Sequence, residues 1–530
     1  MTLSGRETCH RHHNGEMASG TTEAISPTAA AKQSDRPAPL RRSLPVLLPV
    51  ALYLLLRIPS LIEPQWYQDE AGYASTIWLT HLGYGIYVNA WNDKPPLLFG
   101  IYWLSQFLWG SSEAGLHVWS LLSGLAAVSA ALWGLSRMYS TRAALWGGLV
   151  IAILIGSPML DGELALPESL LIGPASVGVI WFLIACAGPS ARVPRARTLV
   201  LIGVLLACAV LIQQTALAET ASVLLWCLVR RRWRDLLIVG GTVVITAAIV
   251  ILPFVVSSGA HNVWYALVSS YGGYVQGGLQ GRLETLALRV AIILAMAVVA
   301  WLFRNATDGR LELLRVWTTA MLFTAIAPGY NYEHFLLPAV VPVVMLITGI
   351  VSGHRRELWA SVRNVRVLIA VAMVGVLSAI TVTTFQFQHY LTWSLGYYAN
   401  AVGHVSGSTS QADYERYFGV TTLGERQAEQ YLSAHGLDGV TAMVWANLAW
   451  PLVDEQLIPP TRSGPLYVTL ALENGTAQIL ATMNASPPRV ILITPDGIED
   501  LPDIRTFISS HAYNKVLDGN GVELYVRSDG

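Results

Sequence analysis

Two short stretches set groups capable of chemistry close together in the chain: the pair Asp69-Glu70 and the run Asn92-Asp93-Lys94-Pro95-Pro96. A carboxylate can accept a proton or ligate a metal. Adjacent residues project in different directions from any regular backbone, so one member of the pair can act while the other supports it. Lys94 precedes two prolines that stiffen the chain and bias the lysine away from helix, so its ammonium sits at a fixed place at the mouth of the next apolar segment. An ammonium there suits a phosphate at a membrane surface, and a lysine snorkelling to an interface has the same pattern. Further polar groups interrupt apolar sequence: Asp161, Glu163 and Glu168 in LDGELALPESLL, Gln213 and Gln214, and His334 in GYNYEHFLLP. Taken singly, each has an ordinary explanation: helix-dipole pairing for Glu168, a satisfied turn for the glutamines, a structural histidine for His334.

The elements that must position these groups are apolar. Of 530 residues, 53% are hydrophobic and 13% charged, against roughly 25% charged in a soluble domain. The fold class expected is an all-α polytopic membrane domain followed by a small extracytoplasmic α/β domain. A net charge of -1 offers no basic field for nucleic acid. Cys9, Cys186, Cys208 and Cys227 lack CxxC spacing, which argues against a disulfide framework or zinc site. Residues 1–43, with His10, His12 and His13, read as a disordered leader. Apolar runs of spanning length lie near 44–62, 115–136, 143–159, 168–187, 198–213, 215–229, 236–256, 284–302, 315–328, 335–351 and 366–386. Arginines crowd alternate connections, among them Arg41 and Arg42, Arg137 and Arg142, Arg230 to Arg232, and Arg355 and Arg356. The positive-inside rule then puts the N-terminus in the cytoplasm and the residues after the last run outside the cell or inner membrane.

On that topology Asp69-Glu70, Asp93-Lys94, Asp161 to Glu168, Gln213-Gln214 and His334 all fall on the outer side, which points to one site assembled from several loops. The aromatic residues Trp66, Tyr67, Tyr73, Trp78, Tyr84, Tyr87 and Trp91 are either an interfacial belt or a surface on which a sugar or isoprenoid stacks. Residues 44–390 form the expected membrane domain, with an outer loop at 63–114. Residues 400–530 form the soluble domain, with a helix at Thr422 to His435 stopped by Gly436. Strands are expected at Val440 to Ala446, Leu466 to Leu472, Arg489 to Thr494 and Val522 to Arg527, with a helix at Thr476 to Asn484.

Asp69-Glu70 followed by Tyr73, the step Gly83-Tyr84-Gly85-Ile86-Tyr87, and then Lys94-Pro95-Pro96-Leu97-Leu98 resembles the first outer loop of integral-membrane glycosyltransferases of the GT-C fold. The resemblance is to glycosyltransferase family 39, which includes dolichyl-phosphate-mannose protein mannosyltransferases, and to the related lipid A aminoarabinose transferases. Glu168 matches an acidic position at the outer start of the fourth span, Gln214 lies near a common Lys-Gln step, and Glu333-His334-Phe335-Leu336-Leu337-Pro338 resembles a His-Tyr run ending in proline. Two departures stand out: His117-Val118-Trp119 replaces the usual Arg-Leu-Pro, and Gln213 replaces the lysine of Lys-Gln.

The resemblance implies a glycosyltransferase that moves a sugar from a polyprenyl-phosphate donor to a protein, lipid or glycan acceptor at the outer face, usually with inversion. Asp69 would be the catalytic carboxylate with Glu70 in support. Lys94, His334 and Gln214 would face the donor phosphate, and Glu168 and Asp93 would orient acceptor or metal. A divalent metal on Asp69, Glu168 and His334 is compatible with the residue types, though no spacing signature demands one. The readings it competes with are a transporter, in which carboxylates serve coupling ions, and a non-catalytic scaffold whose outer domain binds a partner.

Overall fold

The computed structural model describes residues 39–188, 193–270, 309–326, 332–353, 387–466, 468–469, 476–494 and 501–528. The expected spans at 284–302 and 366–386, and most of the leader, lie outside the described residues. Helices α1 to α10 are Pro39–Arg57, Gln68–His81, Pro96–Trp109, Glu113–Met138, Thr141–Gly156, Pro167–Cys186, Ala196–Ile212, Leu217–Val229, Trp233–Ser258 and Ala260–Trp264. Then come α11 (Gly309–Ile326), α12 (Leu337–Gly353), α13 (Phe387–Ser406), α14 (Gln411–Phe418) and α15 (Val420–Ala434). Every expected span that falls in described residues is helical. Glu113–Met138, Pro167–Cys186, Trp233–Ser258 and Glu333–Ser352 are long and apolar enough to cross a membrane. α9 leaves Leu237, Val244, Ile249, Leu252 and Val256 exposed, as a helix facing lipid must.

The stretch 63–114, expected as a loop, instead holds two helices. Asp69 and Glu70 occupy the first turn of α2, where carboxylates favour the positive end of the helix dipole. Pro96 opens α3, at the one helical position that needs no backbone N–H. The aromatic residues that suggested a belt partly serve this packing, since Tyr73 and Tyr102 are buried edge to face with centroids 5.6 Å apart.

The C-terminal part is a mixed sheet with β1 Ala442–Trp445, β2 Val490–Ile493, β3 Tyr513–Gly519 and β4 Val522–Arg527. The order is β1-β2-β4-β3; β1 and β2 are parallel, and β4 is antiparallel to both β2 and β3. Around the sheet lie α16 (Trp450–Asp454), α17 (Thr476–Ala485) and α18 (Leu501–Ser510). Three of the expected strands form. In the fourth, Leu466, Val468 and Thr469 are helical, and Thr469 Oγ1 donates back to Pro465 O at 3.1 Å. A short apolar run does not by itself distinguish buried strand from buried helix. The sheet's core is continuous with the helical core. Backbone and side-chain bonds join them: Trp91 N–H donates to Arg462 O at 3.0 Å and Trp78 Nε1 to Leu457 O at 2.8 Å.

α4 and α6, which carry Glu113, His117 and Glu168, cross closely at Gly173. Its N–H donates to Ser123 Oγ at 2.9 Å, and that hydroxyl donates to Leu170 O at 2.8 Å. A Cβ at Gly173 would stand 2.7 Å from Ser123 O. Gly173→Ala is therefore expected to force the helices apart and to destabilise the protein by about 1–3 kcal/mol, read as a lower thermal midpoint in detergent.

Candidate functional site

The two carboxylates at the start of α2 face different surroundings. Asp69 is half-buried and Glu70 fully buried. Burial raises the pKa of Asp69 above the usual carboxylate value; the positive charges of His334 and Lys94 work against that rise, and the negative charges of Glu168 and Asp93 add to it. Those four groups come from three separate segments. The structure thus gathers Asp69, Asp93, Lys94, Glu168 and His334 into one electrostatic cluster.

Hydrogen bonds and ion pairs hold the segments around Asp69. Asn92 donates from Nδ2 to Thr76 Oγ1 of α2 at 3.2 Å and accepts from Lys94 N–H at 3.3 Å. Tyr87 donates to Lys94 O at 2.9 Å, and Lys94 Nζ lies 3.1 Å from Asp93 Oδ1. The Lys94 side chain keeps 17% of its surface exposed, enough for its ammonium to meet an anion. Gln213 Nε2 donates to Glu168 Oε1 at 3.0 Å, and Gln214 Nε2 donates to Asp93 O at 2.6 Å. Gln213 thus lies against Glu168, and the amide of Gln214, expected to face a donor phosphate, holds the Asp93 backbone. His334 Nδ1 lies 3.1 Å from Asp161 Oδ2.

Glu70 turns the other way, into a buried network. Its carboxylate accepts from the Ala165 N–H and lies 3.2 Å from His117 Nε2. His117 Nδ1 lies 2.6 Å from Ser60 O. Beside it, fully buried Arg57 donates to Gly162 O and to Ser120 Oγ, the latter at 2.6 Å. Glu63 accepts from Tyr397 and, at 3.0 Å, from Trp66 Nε1. Glu163, buried nearby, is pushed well above the usual range by burial, with the charges of Glu63 and Asp161 adding to the effect. Among the described residues, the ligand atoms of Glu70, Glu113 and His117 converge within 4.8 Å of one another, as a metal would require, whereas no such group includes Asp69, Glu168 and His334.

Sequence reasoning passed over Arg57, Ser60 and Glu113, and noted His117 only as a departure from a motif. The available signal was Arg57 itself, a charge inside an apolar run, which is costly unless fully bonded.

No known protein-family profile matches the chain. Among solved structures, ArnT from Cupriavidus metallidurans bound to undecaprenyl phosphate aligns with a TM-score of 0.59 at 17% identity, covering 91% of this chain and 98% of that one. The same enzyme in the apo state aligns at 0.57 over 91% and 97%. ArnT is a lipid A aminoarabinose transferase with the GT-C fold. This chain has the GT-C fold. A slighter likeness, TM-score 0.43 at 12% identity, is to the oligosaccharyltransferase AglB from Archaeoglobus fulgidus, covering 86% of this chain and 69% of that one.

Arg57 ties the 157–166 segment of this GT-C chain to α4. Removing its guanidinium would leave the carbonyl of Gly162 and the hydroxyl of Ser120 without a donor in a buried place. Arg57→Gln is expected to lower stability by roughly 1–3 kcal/mol, measured as a shift in the denaturation midpoint.

Proposed function

We propose that this GT-C chain transfers a sugar from a polyprenyl-phosphate donor to an acceptor hydroxyl at the outer face of the cell membrane, with inversion at the sugar carbon. The observation that carries the reading is that Asp69, a half-buried carboxylate of raised pKa, feels the charge of Lys94, whose ammonium is paired with Asp93. It is supported by a fold shared with an enzyme solved on undecaprenyl phosphate. The arginine-poor connections of the sequence support the outer placement, with the N-terminus cytoplasmic. Residues 44–390 would carry the reaction and residues 400–530 would cover it from the extracytoplasmic side.

In this mechanism Asp69 takes the proton of the acceptor hydroxyl as its oxygen forms a bond to the sugar's anomeric carbon. On the opposite face the bond from that carbon to the phosphate oxygen breaks, and the electron pair leaves on the polyprenyl phosphate. Lys94 faces the negative charge that develops there, the place where a fixed cation favours the transition state most. His334, held by Asp161, adds positive charge on the donor side. Glu168 and Asp93 orient the acceptor, held in turn by Gln213 and Gln214. Inversion needs one base and no covalent enzyme intermediate, and Glu70 faces away from Asp69 into the buried network, which leaves one carboxylate at the start of α2 for the reaction.

A purified preparation supplied with a polyprenyl-phosphate sugar tests this. Asp69→Asn is expected to slow transfer by roughly 10²–10⁴-fold, and Lys94→Ala by about 10²–10³-fold. Transfer at the wild-type rate by both would overturn the assignment. The pH profile carries a second expectation. A base must be ionised to act, and the pKa of Asp69 is raised, so kcat/KM should fall on the acid side at a pH above the ordinary aspartate value of about 4.

A further inference from the structure

His117 meets its neighbours in an arrangement that hydrogen bonds within the protein do not complete. Nδ1 faces the carbonyl of Ser60 at 2.6 Å. A carbonyl only accepts, so Nδ1 carries a proton, and Nε2 is the ring nitrogen turned toward the carboxylates. It faces Glu70 Oε1 at 3.2 Å and Glu113 Oε1 at 3.6 Å. Three groups able to ligate a metal therefore converge, with side chains 0% exposed for His117 and Glu70 and 4% for Glu113. Both oxygens of Glu113 and Oε2 of Glu70 receive no hydrogen bond. Two buried carboxylates this close are costly unless a proton or a cation lies between them.

The spacing suits one. Two ligands each about 2 Å from a tetrahedral zinc stand roughly 3.3 Å apart, close to both distances at His117 Nε2. A ligating histidine commonly donates its other ring nitrogen to a carbonyl, as His117 does to Ser60. Glu113 and His117 are one turn apart on α4, which brings both to the same face. Glu113 also lines a cavity of about 830 Å³ whose other walls include Glu63, Glu415, Glu429, Asp454 and Glu455. Burial, with the charges of neighbouring carboxylates, pushes Glu429 well above the usual range, and burial with Asp438 and Asp454 pushes Glu455 up to about 8. Arg426, paired with Glu415, also lines this cavity, and a cation entering it meets carboxyl oxygens as far as Glu113.

We propose that Glu70, Glu113 and His117 bind a zinc-class divalent cation, taken up through the acidic cavity, and that it clamps the first turn of α2 to α4. With three protein ligands the cation keeps a fourth position toward the cavity. Its role is to position Asp69, which follows Tyr67 and Gln68 into the same helical turn. The proposal does not depend on the sugar-transfer reading, because its test reads metal content.

The experiment uses the full chain, tag removed, with His10, His12 and His13 replaced by Ala so that the leader offers no ligands. After chelation the protein is titrated with zinc, and separately with cobalt. The expected result is one equivalent of zinc per chain, a visible absorption band for the cobalt form, and a thermal midpoint raised by zinc. Glu113→Gln and His117→Gln are each expected to weaken zinc binding by more than about 100-fold and to abolish both the cobalt band and the zinc-dependent shift. If wild type binds no stoichiometric metal, an imidazolium fills the place and the proposal fails. It also fails if both variants keep the metal. Should Glu113→Gln not fold, His117→Gln and the wild-type stoichiometry decide.

Discussion

The structure depends on a division of labour between two adjacent carboxylates. Glu70 is driven into the protein, where the Ala165 N–H and His117 receive it, and that anchoring fixes the rotation of α2 about its axis. Asp69, one residue earlier and so about 100° around the helix, is thereby held toward Lys94, Glu168 and His334. A surface carboxylate would be free to turn to solvent; here its direction is set by the buried neighbour.

The same constraint links the helical core to the chemistry. Arg57 secures Gly162 and Ser120, and the 157–166 segment it holds supplies Asp161 to His334 and the Ala165 amide to Glu70. The turn between α7 and α8 supplies Gln213 to Glu168 and Gln214 to the Asp93 backbone. These bonds run between segments far apart in sequence, so the cluster exists only when the helices are packed. The C-terminal part closes on α2 through Trp78 and on the connection after it through Trp91, which makes it a wall of the site's support.

Much of this was legible in the sequence. Apolar runs give the helices because a membrane span must be long and apolar, and that signal survives without tertiary knowledge. The convergence of Asp69, Lys94, Glu168, Gln213, Gln214 and His334 followed from asking which connections lack arginine. The rest depends on contacts that no local pattern encodes. α2 was hidden because small, aromatic and polar residues buried together show no single apolar stripe, and α3 because its 14 largely apolar residues are shorter than a membrane span. Leu466, Val468 and Thr469 are residues that suit a strand yet are helical, because their surroundings decide. β3, Tyr513–Gly519, was missed because this edge strand mixes charged and polar residues with few apolar ones. His117 looked like the loss of an arginine, and only its place beside Ser60, Glu70 and Glu113 shows what it replaces that residue with.

The central claim, that Asp69 and Lys94 act on a lipid-phosphate sugar, is tested most directly in the lipids of cells that lack this chain. Mass spectrometry of the lipid extract is predicted to show a polyprenyl-phosphate sugar accumulating, to be cleared by the wild-type chain and not by the chain carrying Asp69→Asn. An unchanged pool of lipid-linked sugars on loss of the chain, or clearance by Asp69→Asn as complete as by wild type, would contradict the account.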